Sequence, residues 1–536
     1  MSNTVDYIVV GAGSAGCVLA SRLSENGKYT VCLIEAGPRD RNLWIHIPIG
    51  YGKTMFHKTL NWGFHTDPDV NMLGRRIYWP RGRTLGGCSS INGLIYIRGQ
   101  REDYDRWESL GNPGWGWDAC LPYFRKLEAN DLGEGPTRGT QGPLNATSIR
   151  TAHPLVEALI RAGGELGLER RRDFNEGDNE GVGYYQLTTR KGKRCSTAVA
   201  YLDPARGRTN LRIETDAQVT RLILEGARAR GVAYRKHGQD FTLRAAREVI
   251  VSAGAIQSPQ LLQLSGIGPA DLLGGHGIAV VKDLPGVGAN LQDHLQVRLI
   301  YEVARPITTN DQLRTLWGKA GIGLQWLFFR GGPLAIGINQ GAAFCRVLPD
   351  SRTADTQLHF GTLSADTAGG AVHEFSGCTY SMCQLRPESR GSIRIRSADP
   401  LMPPAILSNY LDSDRDRRAA IAGVKYARRL AATAPLGGLM KREFRPGDEV
   451  RDDDEILHFC REYGATIFHP VGTARMGPAA DREAVVDARL RVHGVDGLRI
   501  VDASVMPTLV SGNTNVPTVM IAERASDFIL EDAGKA

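Results

Sequence analysis

Asp6-Tyr-Ile-Val-Val-Gly11-Ala-Gly-Ser-Ala-Gly16, running on through Cys17 to Leu23, decides the fold of this chain. The run before Gly11 is short, mostly apolar and ends at a glycine, the pattern of a strand buried in a parallel sheet. The residues after it open a helix that Gly27 closes, and Thr30 to Ile34 reads as a second strand ending in Glu35-Ala36-Gly37. Gly11 permits the tight turn, Gly13 lets backbone approach a pyrophosphate, and Gly16 lets the helix pack close to the strand. The helix N-terminus, at Ser14 and Ala15, offers free N–H groups and partial positive charge to phosphates. Glu35 stands 19 residues after Gly16, where a carboxylate accepts hydrogen bonds from a ribose without a 2′-phosphate. Strand, helix, strand and acid in register predict a Rossmann-like α/β domain that binds FAD or NAD.

The rest of the composition bounds the problem without deciding it. At 536 residues the chain needs at least two intertwined domains. Hydrophobic residues make up 42% and charged residues 23%, ordinary for a globular protein. The net charge of +7 comes from 65 basic and 58 acidic residues spread along the chain without a Lys/Arg block, so no nucleic-acid partner is expected. No apolar stretch reads as a transmembrane segment, and the N-terminus runs straight into the first strand without a leader pattern. Nine scattered cysteines with no Cys-x-x-Cys pair predict reduced thiols, no metal site and a cytoplasmic location, with or without peripheral membrane association.

Two further glycine-rich stretches distinguish the dinucleotides. One is Gly82-Arg83-Thr-Leu85-Gly-Gly87-Cys88-Ser-Ser90-Ile91-Asn92-Gly93; the other runs from Gly254-Ala-Ile-Gln-Ser-Pro259 to Gly268. Together with Leu284-Pro-Gly-Val-Gly-Ala-Asn-Leu-Gln-Asp-His294, Pro387-Glu-Ser-Arg-Gly-Ser-Ile393, His469-Pro-Val-Gly-Thr473 and Asn513-Thr-Asn515-Val516-Pro517-Thr518, they resemble the glucose–methanol–choline (GMC) oxidoreductases, in the family's order and over essentially the whole chain. Cys88 departs from the pattern, which has Gly, Ser or Thr there. The family oxidises alcohols with FAD, so the resemblance implies FAD, and an enzyme of the choline-dehydrogenase-like branch. Some members attach the flavin through a histidine where this chain has Ile91, which implies a non-covalent cofactor here. The resemblance implies cofactor contacts from Gly11, Gly13, Ser14, Ala15, Gly16, Glu35 and Ala36, and from Arg83, Leu85, Gly87, Ser90, Asn92, Gly93, Leu94 and Ile95. It implies others from Val219, Asp502, Ala503, Asn513, Asn515, Val516, Pro517 and Thr518.

Oxidising an alcohol requires a base for its hydroxyl proton, a task suited to a histidine. The resemblance assigns this role to His469, with hydride passing to flavin N5. A second residue, His or Asn among members, holds the same oxygen; Asn515 is favoured over Asn513 on its spacing to Pro517-Thr518. His294 and His458 read as structural or surface histidines. The electron acceptor is expected to be a quinone or dye, with an oxidase using O₂ as an alternative. A lyase that cleaves cyanohydrins without net redox is a further alternative.

The motifs near 11, 85, 219, 254 and 500 require a discontinuous cofactor domain, read as 1–154, 196–299 and 456–536. The remaining 155–195 and 300–455 are expected to form an α+β substrate domain with a mostly antiparallel sheet. Its signals are the strand-like Val297 to Val303, Gln357 to Phe360 and Ile393 to Ile395, and an amphipathic helix from Arg415 to Leu430.

Overall fold

The computed structural model describes residues 3–367 and 369–535. The elements that position the site begin with β1 (Thr4–Val10), α1 (Ser14–Ser24), β2 (Val31–Ile34) and β3 (Gly181–Tyr184). Next come β4 (Leu211–Glu214), β5 (Ala217–Glu225), β6 (Arg228–Lys236), β7 (Gln239–Val251), α2 (Gly254–Leu264) and β8 (Leu295–Val303). Then follow α3 (Leu316–Phe329), β9 (Asn339–Cys345), β10 (Thr356–Gly361), β11 (Gly377–Gln384), α4 (Asp414–Ala431), β12 (Met440–Arg445), β13 (Leu498–Ile500) and α5 (Asn515–Lys535).

One sheet has the order β4-β2-β1-β7-β6-β5, with β13 also paired to β7. β1, β2, β4, β7 and β13 run parallel, while β5 and β6 are antiparallel additions. Val10 lies opposite both Ile34 and Val251, so three strands end at one level. The crevice beyond strand carboxyl ends is where open α/β sheets bind ligands. The central residues Ile8, Val9 and Leu33 are wholly buried, because helices cover this sheet on its faces. Two of them, α1 and α5, are tied together by Arg22, whose guanidinium donates to both carboxylate oxygens of the buried Glu523 at 2.9 and 2.8 Å.

The first turn shows why glycine is needed. Gly11 has φ +95°, and a Cβ on Gly16 would lie 1.8 Å from the Gly11 carbonyl oxygen, so the helix can start this close to β1 only without that side chain.

A second sheet has the order β12-β8-β11-β10-β9-β3, extended by residues 170–171 at one end and by 465–466 on β8. All its pairings are antiparallel except that of 170–171 with β3. The amphipathic α4 packs across β11, burying Val424, Ala427 and Leu430. All nine cysteines are free thiols. Among the described residues no helix is long and apolar enough to cross a membrane.

Candidate active site

A single cavity of about 810 Å³ runs from the carboxyl ends of β1 and β2 to the second sheet. At its nucleotide end lie Gly11, Gly13, Ser14, Ala15, Glu35 and Ala36, with Val219 of β5 opposite. A Cβ placed on Gly13 would meet only Ser252 O, at 3.9 Å, so backbone is open to a ligand there. Gly87 fixes the second glycine loop against the first, since a Cβ on it would lie 2.6 Å from Gly13 Cα. Glu35 accepts from Ala12 N at 2.9 Å and Gly37 N at 2.8 Å, and burial pushes its carboxyl up to about 7 despite those donors. Ser252 Oγ lines this end and has no hydrogen-bond partner. Free helix N-terminal N–H groups, an acid at the end of β2 and an unpartnered hydroxyl together fit a dinucleotide.

His469 lines the cavity further along. Its backbone is held from several sides. Asp293 Oδ1 accepts from His469 N at 2.7 Å, and Asp293 Oδ2 accepts from Thr466 Oγ1 at 2.5 Å and from the Tyr410 hydroxyl. Phe468, just before it, sits at φ +73° and is pinned by Thr466 Oγ1 on its N–H and by Arg81 Nη2 on its carbonyl, each at 2.7 Å.

The ring's proton can be assigned from its neighbours. His294 Nε2 lies 3.0 Å from the Leu385 carbonyl, which can only accept, so His294 carries its proton on Nε2. Burial lowers His294 to about 4 and keeps it neutral, leaving Nδ1 as an acceptor. That Nδ1 faces His469 Nδ1 at 3.0 Å, so His469 must donate from Nδ1 and carry a lone pair on Nε2. Asn513 Nδ2 donates to this Nε2 at 3.1 Å. The Asn513 amide is oriented in turn by Gln357 Nε2, which donates to Asn513 Oδ1 at 3.3 Å and to Tyr185 OH at 2.8 Å. Burial first, then the neighbouring His294, His359 and Arg81, hold His469 well below the ordinary 6.5. The site therefore presents a neutral imidazole with a bare nitrogen and an amide N–H aimed at the same point.

Residues 5–296 match the GMC oxidoreductase N-terminal family profile, and residues 387–522 match its C-terminal profile. The chain belongs to the GMC oxidoreductases. It is 42% identical to an alcohol dehydrogenase [acceptor] from Pseudomonas putida over 535 residues, 99% of this chain and 96% of that protein. It is 43% identical to the mitochondrial choline dehydrogenase of Homo sapiens over 530 residues, 98% of this chain and 89% of that one. The crystal structure of pyridoxine 4-oxidase from Mesorbium loti superposes with a TM-score of 0.88 at 32% identity, covering 97% and 98% of the two chains. This GMC oxidoreductase is an FAD-dependent enzyme acting on CH–OH donors, with the Rossmann-like α/β fold expected from Gly11–Gly16.

The structure corrects the expectation for the second site residue. Asn513, not Asn515, meets His469. Asn515 is the first residue of α5, and its Oδ1 accepts from Ser14 Oγ at 2.8 Å, beside the N-terminus of α1. Of the two histidines read as structural or surface residues, His294 is fully buried with its ring against His469, and His458 is on the surface. Six residues expected at the cofactor do not line the cavity. Gly16 faces the Gly11 carbonyl, Leu85 is packed in the core, and Ser90 Oγ is turned onto the Leu85 carbonyl at 2.7 Å. The Arg83 guanidinium lies over the Trp62 ring, and Val516 and Pro517 are buried along α5. The other expected contacts, including Asn92, Gly93, Leu94, Ile95, Asp502, Ala503 and Thr518, do line it.

The end of the cavity beyond His469 is walled by the second sheet. His359 of β10, opposite Ser381 of β11, is buried with neither ring nitrogen hydrogen-bonded, and burial lowers it to about 3. Gln296 and Arg298 of β8 stand two residues apart on one face of the strand, and both line the cavity. Arg298 donates to the Asp366 carbonyl at 2.9 Å and has no carboxylate within ion-pair distance among the described residues. Burial, with Arg445 nearby, lowers its pKa. Among the described residues the lining's only carboxylates are Glu35 and Asp502, and Asp502 is occupied by Gly254 N and Ser258 Oγ.

Proposed function

We propose that this enzyme oxidises an alcohol to an aldehyde or ketone with His469 as the general base, and that a quinone or comparable carrier, rather than O₂, takes the electrons. One observation carries the assignment of the base: the hydrogen-bond chain Leu385 carbonyl–His294–His469 leaves the lone pair on His469 Nε2, where Asn513 also points a donor. The acceptor reading rests on the likeness to the alcohol dehydrogenase [acceptor] of Pseudomonas putida. Bound FAD supplies the hydride acceptor, its N5. A substrate hydroxyl taking the place of the His469–Asn513 bond donates its proton to Nε2 and accepts from Asn513 Nδ2. As the proton leaves, Asn513 holds the developing alkoxide and His294 Nδ1 stabilises the protonated ring from behind. The Asp293 and Arg81 anchors hold the backbone at Phe468 and His469, and the His294 bond keeps the imidazole from turning away. Asn515 lies on the cofactor side, where it joins the N-termini of α1 and α5.

The test is a panel of alcohols assayed with a dye acceptor and with O₂. Turnover with the dye supports the dehydrogenase reading, and faster turnover with O₂ makes the enzyme an oxidase. The charge of the lining sets an expectation within that panel. With Lys53, Arg81, Arg298 and Lys319 on the wall and no carboxylate past His469, choline should show kcat/KM about tenfold or more below a neutral alcohol of its size. Equal or better use of choline contradicts this reading of the wall.

Two more outcomes follow from the geometry. His469 must be neutral to act, and its surroundings disfavour the charged form, so the acid limb of kcat/KM should lie below 6.5; a limb above that value would contradict the buried, neutral base. Ile91 lines the cavity with no atom able to bond the flavin. Heat or acid denaturation followed by ultrafiltration should leave the yellow colour in the filtrate, and flavin retained on the chain would show a covalent link elsewhere.

A further inference from the structure

Helix α3, Leu-Trp-Gly-Lys-Ala-Gly-Ile-Gly-Leu-Gln-Trp-Leu-Phe-Phe, is apolar along almost its whole length, yet much of it faces outward. Trp317 is 88% exposed, Leu316 82%, Phe329 81% and Phe328 70%, with Leu324 and Leu327 more than half exposed. Only Ile322 and Trp326 are buried. Single exposed apolar side chains are common, but six on one short helix are a patch that calls for a partner.

The charges around the patch say which. Trp326 Nε1 donates to the Gly192 carbonyl at 2.9 Å, bringing Lys191 and Lys193 beside the helix. Trp44 packs with Ile47, Trp326 and Ala335 under it and carries Lys53 at 3.8 Å over its ring. Lys319 projects from α3 itself, and Arg330 closes its end over Trp326 at 4.3 Å. None of Lys53, Lys191, Lys193, Lys319 and Arg330 has a carboxylate within 4.0 Å among the described residues, and residues 41–60, 190–194 and 312–338 contain no Asp or Glu. An apolar ridge inside a collar of unpaired cations matches an anionic lipid surface. A second copy of this chain would bring like charges together across the same patch.

We propose that α3 is an interfacial docking helix that lies in the headgroup region of an anionic bilayer. Its 14 residues span about 21 Å, too short to cross the roughly 30 Å hydrocarbon core, so it lies on the membrane rather than through it. Lys319, exposed at the margin of the ridge, and Ile322 on the buried side line the cavity, as do Leu313 and Leu334 next to the helix. Docking therefore sets the outer end of the cavity against lipid. Docking itself does not depend on the proposed alcohol chemistry; its consequence for a lipid-soluble acceptor does.

The test is flotation of the FAD-loaded enzyme with phosphatidylcholine vesicles, with and without added phosphatidylglycerol. The expected result is flotation with the anionic vesicles, weakened by salt, and about tenfold or more weaker binding for Leu324→Glu/Phe328→Glu with dye-linked turnover of a small soluble alcohol unchanged. Neither residue lines the cavity. Lys191→Gln/Lys193→Gln should weaken binding to the anionic vesicles and leave folding and turnover intact. Failure of the wild type to float, or equal flotation of the Glu variant, overturns the proposal. So does a dimer by light scattering that the same Glu variant splits, since the patch would then belong to a second copy. Loss of turnover in every protein, with flotation unaffected, would instead count against the alcohol chemistry.

Discussion

His469→Ala is expected to lower turnover of alcohols by about 10²–10⁴-fold while the protein keeps its FAD. The substitution removes the only bare ring nitrogen that His294 and Asn513 frame, but it leaves the structure that carries it. Asp293 bonds the backbone N–H of residue 469, and Arg81 and Thr466 bond Phe468, so none of these anchors needs the imidazole. Steady-state turnover with a dye acceptor, normalised to flavin absorbance, checks the prediction. A His469→Ala protein with full flavin and near-normal turnover would remove His469 from the chemistry. His294→Ala is a useful companion, because it should disturb the tautomer without removing the base. Its turnover should fall less than that of His469→Ala, and its pH profile should shift.

The second large effect separates two asparagines that stand two positions apart. Asn513→Ala should lose about 10²–10³-fold in turnover, the cost of one preorganised donor to a developing oxyanion. Asn515→Ala should instead lower flavin content, because Ser14 Oγ loses its acceptor beside the N-terminus of α1, with turnover per bound flavin changed far less. Measuring flavin occupancy and turnover on both variants assigns the roles. The reverse pattern would restore Asn515 as the partner of His469.

These two residues show where the sequence stops being legible. Gly11–Gly16 and Glu35 specify a local unit, and strand, helix and acid follow within about thirty residues, so pattern and turn chemistry suffice. The helix at Arg415 to Leu430 was readable for the same reason, as a periodicity of 3.6. Gln357 to Phe360 was readable as a strand, but its alternation marks no exposed face, since Thr356–Gly361 is buried throughout, and Ile393 to Ile395 falls in a separate two-stranded ladder. Asn513 and Asn515 differ by something no spacing encodes: α5 begins at Asn515, so the helix start turns that side chain toward Ser14 and leaves Asn513 in the preceding loop. His294 is harder still. Leu295 pairs with Thr466, and Ile467 N donates to the His294 carbonyl at 3.0 Å, so a strand pairing across more than 170 residues brings the two histidines together. The Asp293-His294 pair stood in a motif already noticed, but its histidine gave no sign in the sequence of where its ring would point. Arg298 was hidden likewise, since only the alternation along β8 places it beside Gln296 on the cavity face.

The central claim is that His469 Nε2 accepts the hydroxyl proton while the flavin is reduced. Anaerobic rapid mixing of the oxidised enzyme with alcohols, followed in the visible flavin band, tests it most directly. The account predicts bleaching by at least one alcohol in the wild type, slowed by about 10²-fold or more in His469→Ala. No bleaching by any alcohol, or bleaching at the same rate in both proteins, would contradict it.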